Sequence, residues 1–359
     1  MPMQYHELSL AAQTAYAEVL DQARALELDA LAGLTGSFHR RTIKGCDYIY
    51  FGYRDPIDGA QRRVYVGPAD ERVNALVARF NDIKAPKKLA PNAQAALALG
   101  CAGTLPKHHR IVRQLAAYGF FKAGGVLIGT HAFIAMSNML GVRWASGDKT
   151  LDIDFAHAGR NVSLALPSDV QLSVHDALSS LEMGLLPIRE LSGKAGAQYR
   201  NPRDPELRLD FLTSLTRDGE PVSIDRLGLA LEPLKFMEFS LEGTTQAALL
   251  SRDGACLVNI PAPARYAVHK LIVYGERDTA ARVKALKDIE QAAALAEWHL
   301  HSGQAAAFNA AWVDALKRGK GWRARAEEGR SALIAKHPAL DDKALWRSPR
   351  SAALGRISP

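Results

Sequence analysis

Apolar positions along this 359-residue chain change period several times, and each change predicts an element. Tyr16, Val19, Leu20, Ala23 and Leu26 recur at helical spacing near the N-terminus. Two strand-like runs follow, Asp47 to Phe51 and Arg62 to Val66, separated by the turn-rich Asp55–Gly59, so a hairpin is expected. A short helix is expected from Asp70 to Phe80. Lys84 to Pro91, with two prolines and three lysines, reads as a linker.

A second region begins near Pro106. His109 to Phe121 has a helical pattern, Gly124 and Gly125 break it, and Val126–Ile128 reads as a short buried strand. Gly129-Thr130 then opens a helix, His131 to Leu140, closed by Gly141. Further expectations are a helix at Ser168–Met183, a strand at Leu185–Leu191 and a mobile loop at Gly193–Pro205. Strands are expected at Leu207–Leu212, Phe236–Leu241 and Ala255–Ile260. The last third is helical in pattern: Ala264–Tyr274, Thr279–Ser302, Gln304–Lys317 and Gly321–Lys336. Val283, Leu286, Ile289, Ala293 and Leu295 are candidates for the inner face of the long helix. The tail after Pro338 carries little pattern.

This reading divides the chain into an N-terminal helix and basic hairpin (1–90), an α/β core (106–260), a helical region (261–340) and a weakly ordered tail (341–359). The fold class is α+β, a mixed sheet with flanking helices.

The candidate chemistry lies in Lys149-Thr-Leu-Asp-Ile-Asp-Phe155. On a strand, side chains two apart share a face, so Asp152 and Asp154 stand together while Ile153 and Phe155 point into a core. Two adjacent carboxylates repel and raise each other's pKa, a cost a divalent cation relieves. Upstream, the helix tip at Gly129-Thr130 offers backbone amides and a positive dipole end to an anion such as a triphosphate. Thr130 adds a hydroxyl that could also cap the helix. Downstream, Asp210 sits on a later strand. Three carboxylates on neighbouring strands suit Mg2+ or Mn2+.

The order of strand, Gly-Thr, helix, Asp-x-Asp and later Asp resembles the polymerase-β-type nucleotidyltransferase superfamily. Gly124-Gly-Val-Leu-Ile-Gly-Thr-His-Ala-Phe133 with Lys149–Phe155 resembles, more narrowly, bacterial nucleotidyltransferase-fold proteins related to abortive-infection toxins. The resemblance covers roughly Arg110 to Leu295. It implies that Gly129 and Thr130 hold phosphate, that Asp152, Asp154 and Asp210 bind the metal, and that Lys270 and Lys287-Asp288 contribute to the nucleotide site. Thr130 stands where Gly or Ser is usual, and the gap before Asp152 is long. Near the same loop, Lys149 or Arg143 could neutralise a triphosphate and Trp144 could stack on a base. His131 could touch a phosphate, and His108 and His109 read as a basic helix end.

The implied reaction moves an NMP from an NTP to an RNA, protein or small-molecule acceptor and releases pyrophosphate. Two alternatives are a catalytically silent nucleic-acid-binding module and a toxin-like tRNA- or protein-modifying transferase with a neutralising partner. A sugar-nucleotide glycosyltransferase is weaker, because the helix tip before the acids fits it poorly.

Composition adds limits. Net charge is +7, which allows a nucleic-acid or nucleotide partner without requiring one. The hairpin interleaves bases with aromatics (His39, Arg40, Arg41, Lys44, Tyr48, Tyr50, Tyr53, Arg62, Arg63, Tyr65), a composition suited to phosphate contact and base stacking. The run Lys317–Arg325 has the same character. No apolar run reaches the ~20 residues of a membrane span, so no membrane partner is expected. Met1 to Leu10 has no secretory pattern, and Cys46, Cys101 and Cys256 are far apart, which points to a cytoplasmic setting.

Overall fold

The computed structural model describes residues 3–29, 36–43, 45–54, 61–71, 73, 74, 77, 89–158, 173–189, 195–215, 219–224, 227–277 and 282–347. In chain order the elements begin with β1 (Tyr5–Glu7), α1 (Leu10–Asp29), β2 (Gly36–Ile43), β3 (Cys46–Arg54) and β4 (Gln61–Pro68). Next come α2 (Leu89–Ala98), α3 (Pro106–Ala117), β5 (Val126–Leu127), α4 (Gly129–Met139), β6 (Val142–Trp144) and β7 (Asp152–Ala156). Then α5 (Val174–Ser179), β8 (Leu186–Arg189), β9 (Ala195–Asn201), β10 (Asp204–Ser214), β11 (Val222–Ile224) and β12 (Leu229–Leu234). The chain continues with α6 (Met237–Leu241), β13 (Thr244–Ser251), β14 (Gly254–Pro261), α7 (Pro263–Glu276), α8 (Arg282–His301), α9 (Ala305–Lys317) and α10 (Lys320–Lys336).

The mixed sheet with flanking helices is an α+β architecture. Its spine runs β11-β12-β10-β7-β5, with β8 and β9 added at β10. β10 runs parallel to β7 and β12, while β5, β9 and β11 are antiparallel to their neighbours. β10 is long enough to serve three partners: β7 along one side, β9 and then β12 along the other. Phe155 and Phe211 are level across β7 and β10, and their rings stack at 5.1 Å with Phe120 edge-on to both. That fully buried face fixes register, because a one-residue slip would carry phenylalanines to the acidic face. One cluster of buried side chains continues from here through α7, α8, α9 and α10 to Leu345 and Trp346. A second joins α1 and α2 to the hairpin β13–β14, where Tyr16 Oη accepts a hydrogen bond from the Ala248 amide at 3.0 Å.

Several expectations are corrected. The Gly193–Pro205 loop is strand from Ala195 to Asn201, and β10 already begins at Asp204. Glycine and proline there mask the alternation of buried Ala197 and Tyr199. Phe236–Leu241 is a helical turn entered through Phe236 at φ 67°, because a short apolar run carries no decisive period. The hairpin has a third strand, β2, whose polar face hides it. Leu89–Pro91 belongs to α2, whose first turn tolerates Pro91. Leu286, expected inside, is 48% exposed. The tail is seated as far as 347: Leu345 and Trp346 are buried, and Trp346 Nε1 donates to the Leu340 carbonyl at 2.7 Å. Most of the expected helix Asp70–Phe80, and residues 168–172 and 348–359, lie outside the described residues.

Candidate active site

The parallel register of β7 and β10 places Asp154 level with Asp210 and Asp152 level with Arg208. In a parallel pair, level residues share a face, so three carboxylates and one guanidinium occupy a single patch. Asp210 is 5% exposed. Its Oδ2 accepts from Arg208 Nε at 2.9 Å and Nη2 at 2.7 Å, while its Oδ1 is buried with no hydrogen-bond partner. Burial, followed by the charges of Asp152 and Asp210, pushes the Asp154 carboxyl up to about 6. Burial also raises Asp210, against the opposing pull of Arg208. Asp152 differs. Burial would raise it, but a hydrogen bond from the Thr150 hydroxyl and the charges of Lys284 and Lys287 leave it lowered.

Gly129 opens α4 against this patch. Its φ is +61°, and a Cβ there would overlap the Asp154 carboxylate. Only glycine lets the turn and the acid approach this closely. Ile128 precedes the helix and its amide donates to the Asp154 carbonyl at 3.0 Å, tying the helix tip to β7. No side chain caps the helix. Its first amide groups are therefore left to a ligand or solvent.

The α7–α8 pair closes the other side. Tyr266 Oη donates to the Gly129 carbonyl at 2.9 Å and lies 2.9 Å from Gln291 Oε1. Lys270, one turn on, reaches Asp288 Oδ1 at 2.7 Å, and Arg277 Nε reaches Asp288 Oδ2 at 2.6 Å. Burial alone would raise Asp288, but these two cations outweigh it and hold the carboxyl below its ordinary value. Burial would lower Lys270, but Asp288, Tyr266 and Asp154 outweigh it, so the ammonium stays charged. From α8, Gln291 Nε2 donates to the Gly147 carbonyl at 2.8 Å and Lys287 Nζ to the Lys149 carbonyl at 2.7 Å. The helix thereby holds the loop that delivers Asp152.

The donor set suits a hard divalent cation. It consists of carboxylate oxygens, one of them an orphaned buried atom, and burial followed by mutual repulsion raises the central acid. As the side chains stand, no three Asp, Glu, His or Cys groups among the described residues are drawn together closely enough to hold a metal. Arg208 neutralises Asp210 in that arrangement.

Residues 106–317, a stretch containing every group just described, match the family model described as nucleotidyltransferase. The chain belongs to this nucleotidyltransferase family. No curated protein and no solved structure matches it. The family match reaches the superfamily expectation and stops short of the abortive-infection toxin type.

Of the residues expected in the nucleotidyltransferase site, Asp152, Asp154, Asp210, Gly129, Lys270 and Asp288 are brought together. Thr130 is the buried second residue of α4 and does not cap it; Ile128 holds the N-cap position. Lys149 contributes its carbonyl, and its side chain is exposed. Trp144 is core: it stacks on Phe133 at 4.6 Å and donates to the Phe133 carbonyl, so it offers no face to a base. Arg143 reaches the Gly100 carbonyl instead of the site. His131 and His108 are buried on each other at 3.0 Å, and burial first of all holds them at about 3 and about 4. His109 is buried as well, so neither histidine adds to a basic helix end.

Sequence reasoning missed Arg208, Arg277, Tyr266, Lys284 and Gln291. Two signals were available. Arg208 lies two residues before Asp210 and so shares its face. Lys284, Lys287, Asp288 and Gln291 form an i, i+3, i+4, i+7 polar stripe on α8.

Proposed function

We propose that the chain transfers an NMP from an NTP to a nucleophilic acceptor on RNA, a protein or a small molecule, releasing pyrophosphate. The observation that carries this reading is the level pair Asp154–Asp210 beside the Gly129 helix tip, with charged Lys270 on the far side. Lys270 acts electrostatically on Asp154, so negative and positive groups meet beside the helix tip.

Asp152, Asp154 and Asp210 would hold Mg2+ or Mn2+, which when bound neutralises phosphate charge and acidifies an attacking hydroxyl. The α4 tip and Lys270 would receive the triphosphate, with Lys284 and Lys287 adding positive potential from α8. Asp288 pairs with both Lys270 and Arg277 and holds the Lys270 ammonium at the nucleotide site. The bond formed joins the acceptor oxygen to the α-phosphorus, and the bond broken joins that phosphorus to the departing pyrophosphate. The acceptor proton passes to a carboxylate of this patch.

The test is incubation with each α-labelled NTP, Mg2+ or Mn2+, and total RNA or lysate. Transfer of label to a macromolecule, lost in Asp152→Asn and Asp154→Asn with circular dichroism unchanged, is expected. Label transfer that persists in both variants refutes the assignment. A silent module would bind no Mg-NTP in calorimetry.

A further inference from the structure

Two segments of this chain interleave arginine with aromatics, and the fold uses them differently. In Lys317–Arg325, Arg318 is bound by Glu242 and Asp314, Arg325 by Glu276, and Trp322 packs edge-on against Phe236 at 4.7 Å. These groups are consumed by internal contacts. In the β2–β3–β4 sheet they are sorted by face. The register sets His39 opposite Tyr50, Arg41 opposite Tyr48, Tyr50 opposite Tyr65 and Gly52 opposite Arg63. Strand alternation then puts all six side chains on one face. Phe38, Ile49 and Phe51 lie on the other, together with Arg40, whose guanidinium meets Asp47 at 3.3 Å.

The first face is a row of rings. Tyr65 is 53% exposed, and its ring lies 5.5 Å from that of Tyr50 and 6.1 Å from that of Tyr48. His39 lies across the backbone of Gly52, where a Cβ would come within 3.1 Å of the imidazole, and Ser37 fixes it through a 2.9 Å hydrogen bond. Arg41 and Arg63 are exposed at the two sides of the row. No carboxylate shares this face among its described residues, because Asp47 points to the opposite one.

We propose that this face binds single-stranded RNA, with bases stacked on Tyr48, Tyr50, Tyr65 and His39 and phosphates held by Arg41 and Arg63. Partly exposed rings flanked by cations and free of acid complement unstacked bases on a polyanion. A duplex hides its base faces and would meet only the two arginines. The tyrosine hydroxyls and Ser37 give ribose 2′-hydroxyls partners that deoxyribose cannot use. The proposal is independent of the transfer reaction.

The test is fluorescence anisotropy of the full chain with a labelled 12-nucleotide single-stranded RNA, the matching DNA strand and the RNA duplex. Single-stranded RNA is expected to bind tightest. Tyr50→Ala/Tyr65→Ala is expected to weaken it at least about tenfold, while Tyr50→Phe/Tyr65→Phe, which keeps the rings and loses the hydroxyls, is expected to weaken it less and to narrow the difference between RNA and DNA. Arg41→Gln/Arg63→Gln should reduce the slope of log affinity against log salt by roughly 1.4. Asp154→Asn, which would disable transfer, should leave binding unchanged. Tighter duplex or DNA binding, equal binding by the arginine pair variant, or loss in Asp154→Asn each overturns the proposal. The arginine variants alter exposed side chains, so they remain informative should the alanine pair fail to fold.

Discussion

The acidic patch on β7 and β10 and the Lys270–Asp288–Arg277 cluster are both charge clusters, and they are balanced in opposite senses. On the sheet, the guanidinium of Arg208 pairs with Asp210 alone among three neighbouring carboxylates, and a buried oxygen of Asp210 has no partner. On the helices, one buried carboxylate has two cations at 2.6 and 2.7 Å. An isolated carboxylate that is buried and uncompensated is costly, whereas a paired one is tolerated. The first cluster is therefore left under-compensated, and the second is a set of ion pairs that holds an ammonium in place. The difference separates acids left with little compensation from an acid that holds other side chains.

The sharpest way to break this contrast is Asp154→Asn. Nucleotidyl transfer should fall by about 10³-fold, measured as pyrophosphate release. Without divalent metal at pH 8, the same variant should be more stable than the parent by on the order of 1–3 kcal/mol in urea unfolding, because repulsion is relieved. A stability loss with activity retained would reverse the assignment. Asp288→Ala should behave oppositely, costing about 3–5 kcal/mol of stability by stranding two cations. Adding Lys270→Met should recover part of that loss.

The pH dependence distinguishes the two clusters by sign. Asp154 has a raised pKa in the fold, so ionisation works against folding. That penalty is absent below the ordinary carboxylate value of 3.8 and is complete above about 6. Asp288 is lowered, so its stabilisation is complete above 3.8 and is lost only as pH falls through its depressed value. Mg2+ affinity, followed by calorimetry, should therefore fall about tenfold per unit as pH drops below about 6. Affinity unchanged between pH 7 and 5 would separate Asp154 from the metal. The smallest effect is expected for Arg208→Gln. Removing the cation that satisfies Asp210 should tighten Mg2+ binding a few-fold and leave Asp288-dependent stability untouched. Weaker Mg2+ binding in that variant would make Arg208 a support of the site instead of a competitor.

Parts of this site were legible in the sequence because they are local. Asp152 and Asp154 share a face by strand period alone, and Ile153 and Phe155 are fully buried as the same rule requires. Gly129 at a helix start was legible as punctuation. Trp144 was misread because a tryptophan in a polar loop gives no sign that Phe133 waits beneath it. Leu286 was misread because an apolar residue on a helix does not say which side is inner; it lies opposite the polar stripe that faces the site.

The sequence alone determined the alternation of each strand, the opening of α4 and the acidic identity of its neighbours, since these follow from spacing within a few residues. Tertiary structure decided that β10 lies parallel to β7 in the register that levels Asp210 with Asp154. It also decided that Asp288 fastens Lys270, and that Arg318 and Arg325 of one arginine-aromatic run are tied up in ion pairs while Arg41 and Arg63 of the other face outward. Those outcomes depend on which distant surfaces bury phenylalanine and leucine most completely, a sum over the whole chain that no local pattern contains.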